Sequence, residues 1–135
     1  MRWVSKKTRR RLDCICSLAH YPRVPWDVQF HPELASELDG LSAVVRVELL
    51  AHAGLLTRFG PTLGRPTVDT LKGSAIANLK ELRFGAEGGV WRVAFAFDAK
   101  RIAVLLAAAD KRGQPQARFY NALIALAERR WATWT

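Results

Sequence analysis

Between Ala77 and Ala109 the chain carries three apolar runs separated by connections of only a few residues. Parallel neighbours need a crossover of about a dozen residues or more, whereas antiparallel neighbours can be joined by a tight turn. The runs are therefore expected to form an antiparallel meander, with strands at Ala77–Phe84, Val90–Phe97 and Arg101–Ala109. Ala86-Glu87-Gly88-Gly89 offers residues tolerant of positive φ for the first turn, and Asp98 to Lys100 makes the second. Upstream, WDVQF at Trp26–Phe30 alternates apolar and polar and predicts a short first strand. Pro32 then opens a helix that Gly40 stops. A longer helix follows, with Leu41, Val44, Val45, Leu49, His52, Ala53, Leu56 and Phe59 at three- and four-residue steps, ended by Gly60-Pro61. Gly60 to Ser74 reads as loop. A last helix starts near Gln116, with Phe119, Leu123, Leu126, Ala127 and Trp131 on one face. The expected order is βααβββα in two layers: an α+β domain whose N-terminal strand and helical hairpin pack on an antiparallel sheet, followed by a C-terminal helix.

Charge divides the chain unevenly. The formal excess is +9 over 135 residues, yet residues 1–24 hold seven Lys/Arg (Arg2, Lys6, Lys7, Arg9, Arg10, Arg11, Arg23) against the single acid Asp13. Two thirds of the excess thus sits in a leader, and general basicity is a weak argument for a nucleic-acid partner. Residues 1–24 are expected to be a flexible basic extension, with the folded domain at 25–135 and a natural start near Val24. Cys14 and Cys16 are too close for an unstrained disulfide and fit no zinc spacing, which suits a reduced, cytoplasmic setting. The leader lacks the apolar core of a signal peptide, and no run approaches the roughly 18 apolar residues of a membrane span. His20, His31 and His52 are far apart, and His31 is better placed to cap the first helix. No Walker loop, dinucleotide glycine pattern, Ser-His-Asp order or carboxylate pair spaced for two metals is present. No metal and no small-molecule cofactor are expected.

The candidate chemistry is cationic. On the second meander strand Trp91, Val93, Phe95 and Phe97 share one face, while Val90, Arg92, Ala94 and Ala96 share the other. On the first, Leu79, Glu81 and Arg83 lie together, opposite Lys80, Leu82 and Phe84. A lone strand arginine is usually only a solvated residue. Here Lys72 closes the loop before the meander, Arg83 and Arg92 sit on adjacent strands, Lys111 and Arg112 follow the third, and Phe119 and Tyr120 start the last helix. Such a set can bind a phosphate backbone, supply a base and an acid for cleavage by a 2′-hydroxyl, and offer rings for stacking. For this, clustered cations would have to depress a lysine or tyrosine pKa. Tyr120 can equally cap the core with its hydroxyl outward.

The segments WDVQFHPE, LLAHAGLLTRFGPTLGRPTVDTLKGS, NLKELRF, GGVWRVAFAFD, AVLLAAADKRG and RFYNALIALAERR, in this order and spacing, resemble the RelE/HigB-like toxins of type II toxin–antitoxin systems, in particular their phage-associated branch. The resemblance runs from about Trp26 to Trp131. It implies a compact microbial-ribonuclease-like fold and an endoribonuclease, an mRNA interferase that cleaves messenger RNA in the ribosomal A site without metal. It also implies a cognate helix-turn-helix antitoxin as partner. By residue, the resemblance implies that Lys72 lies near the scissile phosphate and Arg83 stabilises the transition state. Lys111 would serve as the acid, and Tyr120 would stack on or assist a base. Lys80, Arg92, Arg112 and Phe119 are expected as further RNA contacts. The rival expectations are a ParE-type inhibitor of DNA gyrase on the same fold, and an inactive prophage remnant. Keeping Lys72, Arg83, Lys111 and Tyr120 together favours the nuclease, because a gyrase binder has no need of that cluster.

Overall fold

The computed structural model describes residues 26–134; the expected extension at 1–24, with Cys14, Cys16 and His20, lies outside the described residues. Strands β1 (Asp27–Phe30), β2 (Val68–Thr70), β3 (Lys80–Ala86), β4 (Gly89–Phe97) and β5 (Ile102–Asp110) form one sheet in the order β1-β5-β4-β3-β2. The meander β3-β4-β5 is antiparallel as its short connections require. Glu87 and Gly88 turn between paired Ala86 and Gly89 with φ of 51° and 73°, the double positive-φ geometry that matches the twist of a two-residue hairpin.

Several expectations change. β1 pairs parallel to β5, Val28 beside Ala103, so the sheet is mixed rather than antiparallel; the chain between them is long enough for the crossover. The stretch from Gly60 to Ser74 is not all loop, because Val68–Thr70 adds an edge strand antiparallel to β3. Three residues are too few for alternation to reveal. The first meander strand starts at Lys80 rather than Ala77, because the Leu71 N–H bonds the Leu79 carbonyl at 2.8 Å and pinches residues 71–79 into a loop.

Helices α1 (Pro32–Glu37) and α2 (Ala43–Phe59) cover one face of the sheet, and α3 (Gln116–Thr133) covers part of the other, giving three layers instead of the expected two. His31 caps α1 as expected: the Glu33 N–H donates to its Nδ1 at 3.1 Å. Gly40 ends a 3-10 turn rather than taking a left-handed stop, and Ser42 caps α2 by accepting from the Val45 N–H. Gly60 does close α2 with positive φ (54°), and a Cβ there would sit 2.3 Å from Trp26. Val45, Leu49, Ala53 and Leu56 bury against Val28, Phe30, Leu82, Phe84, Val93 and Phe95. Val44 and Phe59, expected in that stripe, are 50% and 40% exposed. On the other face Phe119, Leu123 and Ala127 pack on Leu79, Ala94, Ala96 and Val104.

One irregularity interrupts the sheet. Ala94 pairs with Ala107 but Phe95 with Leu105, so Leu106 is an extra residue, a β-bulge. Leu106 and Ala107 both pack on the α3 side. The bulge carbonyl of Leu106 accepts from Arg130 Nη1 at 2.8 Å. That guanidinium is 4% exposed and is held by Glu37 (Nη1 to Oε1, 3.0 Å) and Glu33. The C-terminal part of α3 is thereby clasped to α1.

Candidate active site

α3 packs over β5 and β4 and leaves the β2–β3 side of the same sheet face open. The result is a groove of about 680 Å³, within the range of sites that hold small polar ligands or a few groups of a longer one. One wall is α3, through Gln116, Tyr120, Asn121 and Ile124. The other is β2 with the turn after it, through Arg65, Asp69, Leu71 and Lys72. Glu81 and Arg83 on β3 form the floor, and Lys111 closes the end beyond β5.

Strand alternation explains why these residues meet. Glu81 and Arg83 are two apart and share the face opposite Leu82 and Phe84, which point into the α1–α2 core. Arg83 lies directly across from Arg92 on β4, and two like charges facing each other would be destabilising on their own. Glu81 balances them. Its Oε1 is 3.5 Å from Arg92 Nε and its Oε2 is 3.8 Å from Arg83 Nε. Tyr120 donates its hydroxyl to Glu81 Oε1 at 2.8 Å and stands 3.4 Å from Arg92 Nε. Arg92 also donates to the Trp91 carbonyl at 2.9 Å. Glu81 and Arg92 are only 5% and 7% exposed, so a paired, neutralised base underlies a groove whose upper cations face solvent.

The electrostatics follow from that pairing. Arg65 is matched by Asp69 at 3.1 Å, which holds the Asp69 carboxyl below its usual value. Arg92 is matched by Glu81. Among the described residues no carboxylate pairs with Lys72 or Lys111, and Arg83 keeps only a long contact. Lys111 lies 5.5 Å from the centre of the Tyr120 ring. These three cations are the groove's spare positive charge, arranged for an anion. The Tyr120 phenol is pushed above its ordinary value, chiefly by burial and then by its bond to the Glu81 carboxylate. The expectation that clustered cations would depress a tyrosine is thus reversed: Tyr120 is a held, protonated phenol at neutral pH.

The structure therefore places Lys72, Arg83, Lys111 and Tyr120 around one groove, from four different segments. Arg92 sits beneath it as a buried support and does not open to it. Lys80 shares the face of Leu82, away from the groove. Arg112 pairs with Asp110 at 3.5 Å and lies beside the Gly88 turn. Phe119, expected as a stacking ring, is 2% exposed in the core and offers no free face. Sequence reasoning missed Glu81 as the centre of the site, although one signal was present: an acid on the same strand face as Arg83. Among the described residues no group of three His, Cys, Asp or Glu side chains could hold a metal ion, and no helix is long and apolar enough to cross a membrane.

The family model of phage-derived Gp49-like proteins matches residues 36–132. Two proteins of Mycobacterium tuberculosis, each named as a candidate toxin, are similar in sequence. HigB2 is 42% identical over 82 residues, 60% of this chain and 41% of its own. HigB3 is 45% identical over 80 residues, 59% of this chain and 68% of its own. The chain thus spans under half of HigB2 and about two thirds of HigB3. A mutant of the E. coli toxin RelE in the free state superposes with a TM-score of 0.52 at 11% identity, covering 75% of this chain and 95% of that one, and shares the fold. The chain of an archaeal RelE–RelB complex from Pyrococcus horikoshii gives 0.49 at 19% identity, over 64% and 96%.

Proposed function

The chain belongs to the Gp49-like family, with the HigB proteins among its relatives, and from that premise we propose that it is the toxin of a toxin–antitoxin pair, a cytoplasmic endoribonuclease that cuts messenger RNA on the ribosome. The observation that carries this reading is the groove: Lys72, Arg83 and Lys111 converge beside a tyrosine whose proton is held by a buried carboxylate.

The groove accepts the RNA strand with the scissile phosphate among the three cations. The 2′-oxygen attacks phosphorus, and its proton passes to the Tyr120 hydroxyl as that hydroxyl gives its own proton to Glu81. The bond from phosphorus to the 5′-oxygen breaks, and that oxygen takes a proton from Lys111. The products are a 2′,3′-cyclic phosphate and a 5′-hydroxyl; solvent restores Lys111 and clears Glu81. Arg83 and Lys72 stabilise the extra charge of the pentacoordinate phosphorane, where fixed donors in a partly dry groove contribute most. Arg92, 3.5 Å from Glu81 Oε1, keeps that carboxylate aimed at the Tyr120 hydroxyl. The partner in this reading is a cognate antitoxin of helix-turn-helix type, the kind that the sequence resemblance implies.

The deciding experiment is controlled expression followed by mapping of messenger 5′ ends. The expected result is cuts in phase with codons that vanish when translation initiation is blocked. Intact messages together with DNA damage would sink the ribonuclease reading in favour of a gyrase inhibitor, and normal growth would indicate an inactive chain.

A further inference from the structure

Lys72 sits in the loop that runs from Leu71 to Leu79, and that loop is fastened at few points. Its neck is closed by the Leu71 N–H to Leu79 carbonyl bond, one residue before Lys72. Its tip is fastened from across the groove. Glu128 Oε2 accepts from the Ser74 hydroxyl at 2.8 Å and from the Ala75 N–H at 2.7 Å, and Ser74 Oγ in turn accepts from the Ile76 N–H at 3.0 Å. Between neck and tip lies Gly73, with φ of 86°, a residue with no side chain to stiffen the backbone. Lys72 is thus pinned on both sides, and two residues of chain, about 7 Å at full extension, separate it from the tip clasp.

The clasp comes from the same helix that forms the opposite wall. Asn121, Ile124 and Glu128 follow one another at three- and four-residue steps along α3, and the first two line the groove. One carboxylate thus bridges the wall bearing Tyr120 and the wall bearing Lys72, adding a directional clasp to the packing of Leu71, Ile76 and Leu79 against α3. We propose that Glu128 is a positioning residue of the site: it touches no substrate, and it holds Lys72 at the distance from Tyr120 that the bound phosphate requires. The proposal rests on reading the groove as the RNA site.

The test is a double-mutant cycle on the purified full chain with a short 2′-deoxy oligonucleotide that binds but cannot be cut, alongside hydrogen exchange of the amides at 72–76. Glu128→Ala is expected to leave the protein folded, lowering the melting temperature by no more than about 6 °C because the half-buried carboxylate loses two bonds to a loop, to speed exchange at Ala75, and to weaken binding about tenfold, as a displaced cation would. In a Lys72→Ala background it is expected to weaken binding no further, because its effect runs through Lys72. Glu128→Gln, which keeps an acceptor oxygen, is expected to recover most of the loss. Multiplying effects in the cycle, unchanged exchange at Ala75, or no binding by the unaltered chain would each overturn the proposal. Coupled binding without any cleavage of messenger in translating extracts would instead remove the ribonuclease reading and leave the clasp standing.

Discussion

Replacing Tyr120 with Phe removes one oxygen and keeps the ring. The Phe119 contact at 5.1 Å and the Lys111 contact above the ring are retained, so the loss is that of the hydroxyl. That group donates at 2.8 Å to a carboxylate only 5% exposed. A hydrogen bond to a buried charge contributes about 1.5–3 kcal/mol. The lower figure applies here, because Glu81 keeps Arg92 at 3.5 Å. A loss of about 1.5 kcal/mol lowers the melting temperature of a domain this size by about 6 °C. The pH dependence has a definite sign. The folded phenol titrates above its ordinary value of 10.0, so its contribution is fully present below about pH 10 and is lost as pH rises through the folded value. The stability gap between the two proteins should narrow in that alkaline range and stay constant from neutral pH up to it. Cleavage should fall by about 10²–10⁴, the usual contribution of a positioned proton-transfer group. Calorimetry across pH, with single-turnover cleavage on programmed ribosomes, checks all three. A Tyr120→Phe protein that melts unchanged would refute the hydrogen-bond argument, and one that cuts at the normal rate would refute the relay.

Arg83→Ala should abolish growth inhibition while melting within about 2 °C of the parent, since its side chain is 33% exposed and makes only a 3.8 Å contact; a large loss of stability would show the arginine to be structural. Binding of single-stranded RNA should weaken about twentyfold between 50 and 200 mM salt if three cations meet phosphates. Lys111→Ala should flatten that dependence, and Lys80→Ala, on the opposite face, should leave it as it was. Arg130→Met should cost about 2–3 kcal/mol in chemical denaturation. The Leu106 carbonyl then loses its donor, whereas Glu33 and Glu37 are half exposed and rehydrate.

The meander, both helix starts and the C-terminal helix were legible because tight turns, prolines and apolar periodicity act over a few residues. The groove was legible in part for the same reason: alternation separates the face of Arg83 from that of Lys80, although Lys80 is expected among the RNA contacts. What stayed hidden depends on distant partners. A three-residue β2 exists because β3 offers it a ladder, and β1 lies parallel because β5 has a free edge beside it. Phe119 and Tyr120 are adjacent and aromatic, so composition treats them alike; their difference is a helical rotation of about 100°, which sends one ring into the core and the other to Glu81. The rise in the Tyr120 pKa was out of reach for the same reason, since it requires knowing that the phenol is partly buried and that Glu81 lies beneath it.

The bulge at Leu106 has a genetic meaning as well as a geometric one. Before it, the even-numbered residues Val104 and Leu106 face α3; after it, the odd-numbered Ala107 and Ala109 do. Lys111 inherits the second parity, its N–H bonding the Val90 carbonyl at 2.7 Å. A strand of the same length that paired without the bulge would turn every residue after Leu105 over, and Lys111 with them, to the side of the α1–α2 core. Deleting Leu106 itself removes the doubled position instead: alternation then runs unbroken from Val104, and Ala107, Ala109 and Lys111 keep their side. That single deletion should therefore leave the groove's cations in place, because the extra residue only reconciles the length of the strand with the faces it presents.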